Sequence, residues 1–156
     1  MNARGSFRLC ALVCLVPVIG VAQNTCETTN DQTNCVRVLA CVGDSGSYFE
    51  GRSVGRGSGT MAGLIDQRIA CTGTWTERNA DGVGQVDVTC DDGMEVTVLY
   101  TYQEPYTGTA IGYGQANTGE NITAWSGLHV LEYFQRETGE EAPNLPCGGP
   151  NSIPVS

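Results

Sequence analysis

The chain contains no lysine, one histidine and no Cys-x-x-Cys pair, and each absence excludes a class of function. Nucleic-acid affinity is built on lysine and arginine neutralising phosphates. A chain with eight arginines, no lysine and a formal charge of −9 repels that backbone and anionic membranes alike. One histidine, without paired cysteines, is too little for a zinc site of the usual ligand sets. No phosphate loop, metalloprotease helix or dinucleotide fingerprint occurs, so no cofactor is expected. No apolar run reaches the roughly 20 residues that a membrane-spanning helix needs.

What is there points outward from the cell. Arg4 and Arg8 precede an apolar stretch from Leu9 to Val21, which ends in the small residues Gly20-Val21-Ala22. This is the layout of a secretory signal, and it predicts a signal peptide over residues 1–22. The remaining chain carries six basic against 17 acidic groups, a net charge of −11. It keeps Cys26, Cys35, Cys41, Cys71, Cys90 and Cys147. An even count in an exported chain reads as three disulfides and an oxidising location, periplasmic or extracellular. No membrane insertion is expected after signal cleavage.

Glycine-rich, threonine-rich alternation from Cys71 onward predicts antiparallel β structure. In "CTGTWTERNADGVGQVDVTC" a turn at Asn79-Ala80-Asp81-Gly82 pairs Trp75 with Val86, Gly73 with Val88 and Cys71 with Cys90. All six then share one face, and Cys71 and Cys90 are expected to form a cross-strand disulfide. A three-residue loop, Asp91-Asp92-Gly93, keeps Met94, Val96, Val98 and Tyr100 on that same face, with Gly93 in the left-handed position. The opposite face collects Thr72, Thr74, Thr76, Gln85, Asp87, Thr89, Glu95, Thr97 and Thr101, so the sheet has one buried side. A third hairpin follows, with a loop Glu104–Gly108, a strand "TAIGYGQA", a turn at Asn117-Thr118-Gly119 and a strand "NITAW". The stretch "GRGSGTMAG" is a candidate glycine-rich strand leading into Cys71. Ile69, Val96 and Ile122 recur at intervals of 27 and 26 residues, as one hairpin unit used about three times would give.

The segment from Gly73 to Tyr100 resembles a MORN-type repeat. The likeness rests on Gly73 and Trp75, Gly82 and Gly84, Asp92 and Gly93, and Tyr100, over about 28 residues. The spacing from Gly84 to Gly93 is longer than in that family. The resemblance implies a β-meander and a scaffold or contact surface.

After Trp125 the pattern changes. Leu128, Leu131 and Phe134 have helical spacing, with Ser126 as a candidate N-cap and Gly139 as a C-cap. A final strand over residues 127–138 is the alternative. The tail from Glu140 to Ser156 reads as an irregular strap pinned by Cys147. The pairing of Cys26, Cys35, Cys41 and Cys147 stays open among three arrangements.

"CVGDSG", Cys41 to Gly46, resembles the nucleophile segment of trypsin-like serine proteases. There the motif continues Gly-Pro, whereas here Ser47-Tyr48 follow. A triad needs a histidine base oriented by a carboxylate. His129 follows Ser45, whereas that family's histidine precedes its serine. The segment therefore reads as a tight turn, and Ser45 with His129 as an alternative hydrolase pair. The acidic residues Asp87, Asp91, Asp92 and Glu95 match no calcium-loop spacing, and no metal site is assigned. Tyr106, Tyr113 and Trp125 form a candidate ligand patch on the third hairpin.

The expectation is an all-β protein: an antiparallel β-meander of repeated hairpins, curling toward a small barrel, disulfide-stapled, with a short C-terminal helix. Residues 1–22 are the signal, 23–139 one β-rich domain and 140–156 the tail. A non-enzymatic binding or structural module with a protein or glycan partner is the leading function. A Ser45 hydrolase, or a protease-inhibitor-like module presenting the Cys26–Cys41 region, is the alternative.

Overall fold

The computed structural model describes residues 35–150 and 153–155; residues 1–22, expected to be a signal, and Cys26 fall outside that range. Eight antiparallel strands follow one another in chain order and close into a barrel: β1 (Cys35–Val42), β2 (Ser47–Arg56), β3 (Ser58–Ile65), β4 (Ile69–Thr76), β5 (Gly84–Cys90), β6 (Glu95–Gln103), β7 (Ala110–Ala116) and β8 (Asn121–Gly127). Pairing of β8 with β1 removes both sheet edges, so no backbone row is left to template aggregation. One helix, α1 (Val130–Thr138), follows β8.

The register of β4, β5 and β6 is the one the alternation predicts. Trp75 faces Val86, Gly73 faces Val88 and Cys71 faces Cys90, while Val88 faces Val96 and Gly84 faces Tyr100. Gly93 takes φ +87° in the Asp91–Gly93 loop, a region in which side-chain-bearing residues are strained. The Asp92 carboxylate caps the Met94 N–H at 3.0 Å.

Continuing the register around the barrel defines the inside. Val38, Ala40, Val42, Phe49, Met61, Ile65, Val86, Val88, Met94, Val96, Val98, Ile122 and Ala124 form one buried cluster with Cys71 and Cys90, which are joined by a disulfide. Inward glycines make room for inward rings. A β-carbon at Gly63 would lie 2.4 Å from the tip of the Phe49 ring, and one at Gly51 2.6 Å from it.

A second apolar cluster lies outside the barrel wall. Leu39, Cys41, Ile111 and Trp125, on the outer faces of β1, β7 and β8, are covered by Val130 and Phe134 of α1 and by Leu145, Cys147 and Val155 of the tail. The Trp125 and Phe134 rings meet edge-on at 5.0 Å. A Cys41–Cys147 disulfide fastens the tail, and Gly46 N–H donates to the Cys147 carbonyl at 2.9 Å. Cys35 is disulfide-bonded as well.

Two expectations need correction. The helix begins after His129, which makes no side-chain cap, and not after Ser126. Ser126 is still in β8, where it pairs with Val38 and Ala110. Four hairpins build the barrel where three were expected, because β1 and β2 precede the alternating region. Gly139 does close the helix, at φ +73°.

A candidate ligand pocket at the mouth of the barrel

The two ends of the barrel are built differently. At one end short turns join β1 to β2, β3 to β4, β5 to β6 and β7 to β8, and the side chains beneath them are large and apolar. At the other end Gly57 alone joins β2 to β3, and longer loops join β4 to β5 and β6 to β7. Here the inward positions carry Val36, Ser53, Gly55, Gly59, Trp75, Gly84, Tyr100, Ala110 and Ser126. Small residues in place of large ones leave a pocket of about 410 Å³, lined among others by Val36, Ser53, Trp75, Val86, Tyr100, Ala110 and Ser126. That volume falls in the range of small-molecule sites, about 300–1,000 Å³. Below it Val86 and Tyr100 also line a narrow interior space of about 40 Å³ whose walls are almost wholly apolar.

The polar groups in the mouth are few and distinct. Ser53 is only 6% exposed as a residue; its hydroxyl makes no hydrogen bond among the described residues and opens to the pocket. The hydroxyls of Ser126 and Tyr100 have no such partner either. Burial pushes the Tyr100 phenol well above its usual value, which keeps it protonated and able to donate. The Tyr100 ring lies against Gly112, where a β-carbon would come within 2.7 Å of Val98 and 2.9 Å of the ring. Trp75 is oriented by its indole N–H, which donates to the Val54 carbonyl at 3.1 Å. The charged lining residues, Glu77 and Arg78, are exposed in the β4–β5 loop.

The β6–β7 loop is held by its own side chains. The Glu104 carboxylate accepts from the Thr107 hydroxyl at 2.6 Å and from the Thr107 and Tyr106 N–H groups at 2.7 and 3.0 Å. These bonds, the Thr107 hydroxyl foremost, hold the Glu104 carboxyl below the usual range.

The residues singled out from sequence are placed elsewhere. Trp125 is 6% exposed beneath α1, so the patch of Tyr106, Tyr113 and Trp125 does not form as an open aromatic surface. The helix that follows β8 folds back over that tryptophan. Tyr106 is 78% exposed under the Arg136 guanidinium, 4.4 Å from the ring centre, and Tyr113 stands exposed on the outer face of β7. Ser45 lies in the exposed turn between β1 and β2, bridged to Gly148. His129 lies beyond the other end of β1, next to Glu132 at 3.2 Å. Five steps of extended chain, from Arg37 to Val42, separate the two ends by about 16 Å. Ser45 and His129 therefore do not meet. Of the Cys26–Cys41 region, Cys35 to Cys41 is barrel strand and presents no loop. Asp87 receives hydrogen bonds from Thr97 and Gln85 at 2.7 and 2.8 Å, and among the described residues no cluster arranges for a metal. Also among them, no helix is long and apolar enough to cross a membrane.

Trp75 and Tyr100 were legible as inward residues, but Ser53 and Ser126 were not singled out. Their signal is a serine at a core position of a strand, visible only once register is known.

No family model and no curated protein matches the chain. Two solved structures are similar to it: the redesigned β barrels mFAP0 and mFAP1, each bound to DFHBI. They are 19% and 17% identical, cover 61% of this chain and 96% and 93% of their own, and have a TM-score of 0.46 each.

Proposed function

We propose that the protein is an exported, disulfide-braced binding module, without catalytic activity, that takes a small molecule into the mouth of its barrel. The observation that carries this reading is Ser53. It is the hydroxyl of a nearly buried residue, open to a pocket of about 410 Å³ and without a hydrogen bond to the described residues. A protein gains no stability from such a group, and a ligand bond would give it a use. Disulfides between neighbouring strands and from the barrel wall to the tail suit an oxidising compartment, periplasmic or extracellular.

The test is a thermal-shift screen of small molecules, run in parallel on the unaltered protein and on Ala110→Trp, which fills the mouth. Compounds that raise Tm in the first and not in the second support the reading. Stabilisation that survives the plug, or none by any compound, contradicts it. If Ala110→Trp lowers Tm by itself, Ser126→Leu is the second plug.

A further inference from the structure

The same mouth, if it is the binding site, also limits what can enter it. Two aromatic rings face the pocket, Trp75 from β4 and Tyr100 from β6, with β5 between them. The positions beside them are small: Gly59 pairs with Trp75, and Gly84 and Gly112 pair with Tyr100. Flat walls flanked by glycines leave a space suited to a flat body, and aromatic faces stack on one another. Val36, Val86 and Ala110 complete an apolar lining.

The inward polar partners are hydroxyls; Gln85 and Gln103 add amides to the lining, and the charged groups stand at the rim. Ser53 and Ser126 flank β1, beside Val36 and Val38, and Tyr100 lines the pocket from β6, on the far side of the barrel. Glu77 and Arg78 stay exposed at the rim, so an ionic group at the pocket floor would find no opposite charge. An unpaired buried charge is far costlier than an unpaired hydroxyl. The excess of acidic residues, 17 against eight basic in the full chain, adds repulsion for anions.

We propose that the mouth takes an uncharged, flat, mostly apolar molecule that leads with a hydroxyl or carbonyl group toward Ser53, Ser126 and Tyr100. This inference rests on the mouth being the binding site. The interior space of about 40 Å³ below is too small for a ring. The ligand therefore seats above it, with its polar end at the level of the serines.

Three probes of one shape separate the terms: 2-naphthol, naphthalene and 2-naphthoate, titrated by calorimetry into the unaltered protein, Ser53→Ala and Tyr100→Phe. The expected order is 2-naphthol at least about tenfold tighter than naphthalene, with 2-naphthoate at least tenfold weaker than 2-naphthol, about one ionic or hydrogen-bonding contact each. The ratio of naphthol to naphthalene affinity should fall about threefold or more in Ser53→Ala or in Tyr100→Phe. Tight binding of 2-naphthoate, or a ratio untouched by both substitutions, would overturn the proposed ligand class and leave the mouth as a site. Absence of saturable binding by all three probes overturns both readings. If Ser53→Ala unfolds, Ser53→Thr, which restores the hydroxyl, should bring the ratio back in a folded protein. A ratio that stays low in Ser53→Thr contradicts the role of the hydroxyl.

Discussion

The two ends of the barrel share strands but not purpose. Around the short turns the interior is filled by Phe49, Ile65, Met94 and Ile122 and by the Cys71–Cys90 disulfide. At the mouth the same strands present serine, glycine and two half-buried rings. In the first region every inward side chain contributes to burial, and nothing polar is left over. In the second, hydroxyls face a cavity and add nothing to the packing. Chains place such departures from good packing at sites of use, and the contrast marks where to look for one.

The contrast makes opposite predictions for substitutions at the two ends. Phe49→Ala removes a ring packed over Gly51 and Gly63 and should cost about 3–5 kcal/mol in urea unfolding. Joint replacement of Cys71 and Cys90 by alanine opens a loop with a sequence separation of 19 and should cost about 3 kcal/mol in the same measurement. Ser53→Ala, at the mouth, should be neutral or stabilising by a few tenths of a kcal/mol, because no protein hydrogen bond is lost. A loss above about 1 kcal/mol would mean that Ser53 serves the fold and would erase the distinction between the ends.

The mouth should also respond to acid in a defined window. Glu104 is held below the usual carboxylate range, so its bonds to Tyr106 and Thr107 contribute stability above that range and lose it as pH falls through the lowered value. Protection factors of the Tyr106 and Thr107 amides should fall below about pH 4 and stay constant from pH 5 to 8. A loss of protection near neutrality would contradict this. A small gain is expected at the sealed end. Gln67 takes φ +58° in the β3–β4 turn, and Gln67→Gly should raise stability by about 0.5–1 kcal/mol. A loss would mean that its bonds to Tyr48 and Glu50 outweigh the backbone strain.

Sequence reasoning read the region from Cys71 to Tyr100 well because that wall has one wet face, and polar residues there print a two-residue period. It failed on β1 for the opposite reason. Leu39 and Cys41 point outward yet are buried under α1 and the tail, so "CVRVLACV" shows no alternation at all. β2 was hidden by its glycines and arginines; Gly51 and Gly55 weaken a strand pattern although Gly51 accommodates the Phe49 ring. Trp125 misled because an outward tryptophan on a hairpin looks exposed until the following helix folds over it. The pocket was hardest to read, since a serine becomes notable only when its neighbours around a closed barrel are known.

The most direct test of one sealed end and one receiving end is amide shift mapping of the labelled protein with saturating 2-naphthol. Shifts are expected at Val36, Ser53, Gly84, Tyr100 and Ser126 and at the Trp75 indole N–H, with none at Cys71, Cys90, Met94 or Ile122. Shifts centred on Tyr106 and Tyr113, on the Ser45 turn or on the sealed end would contradict it.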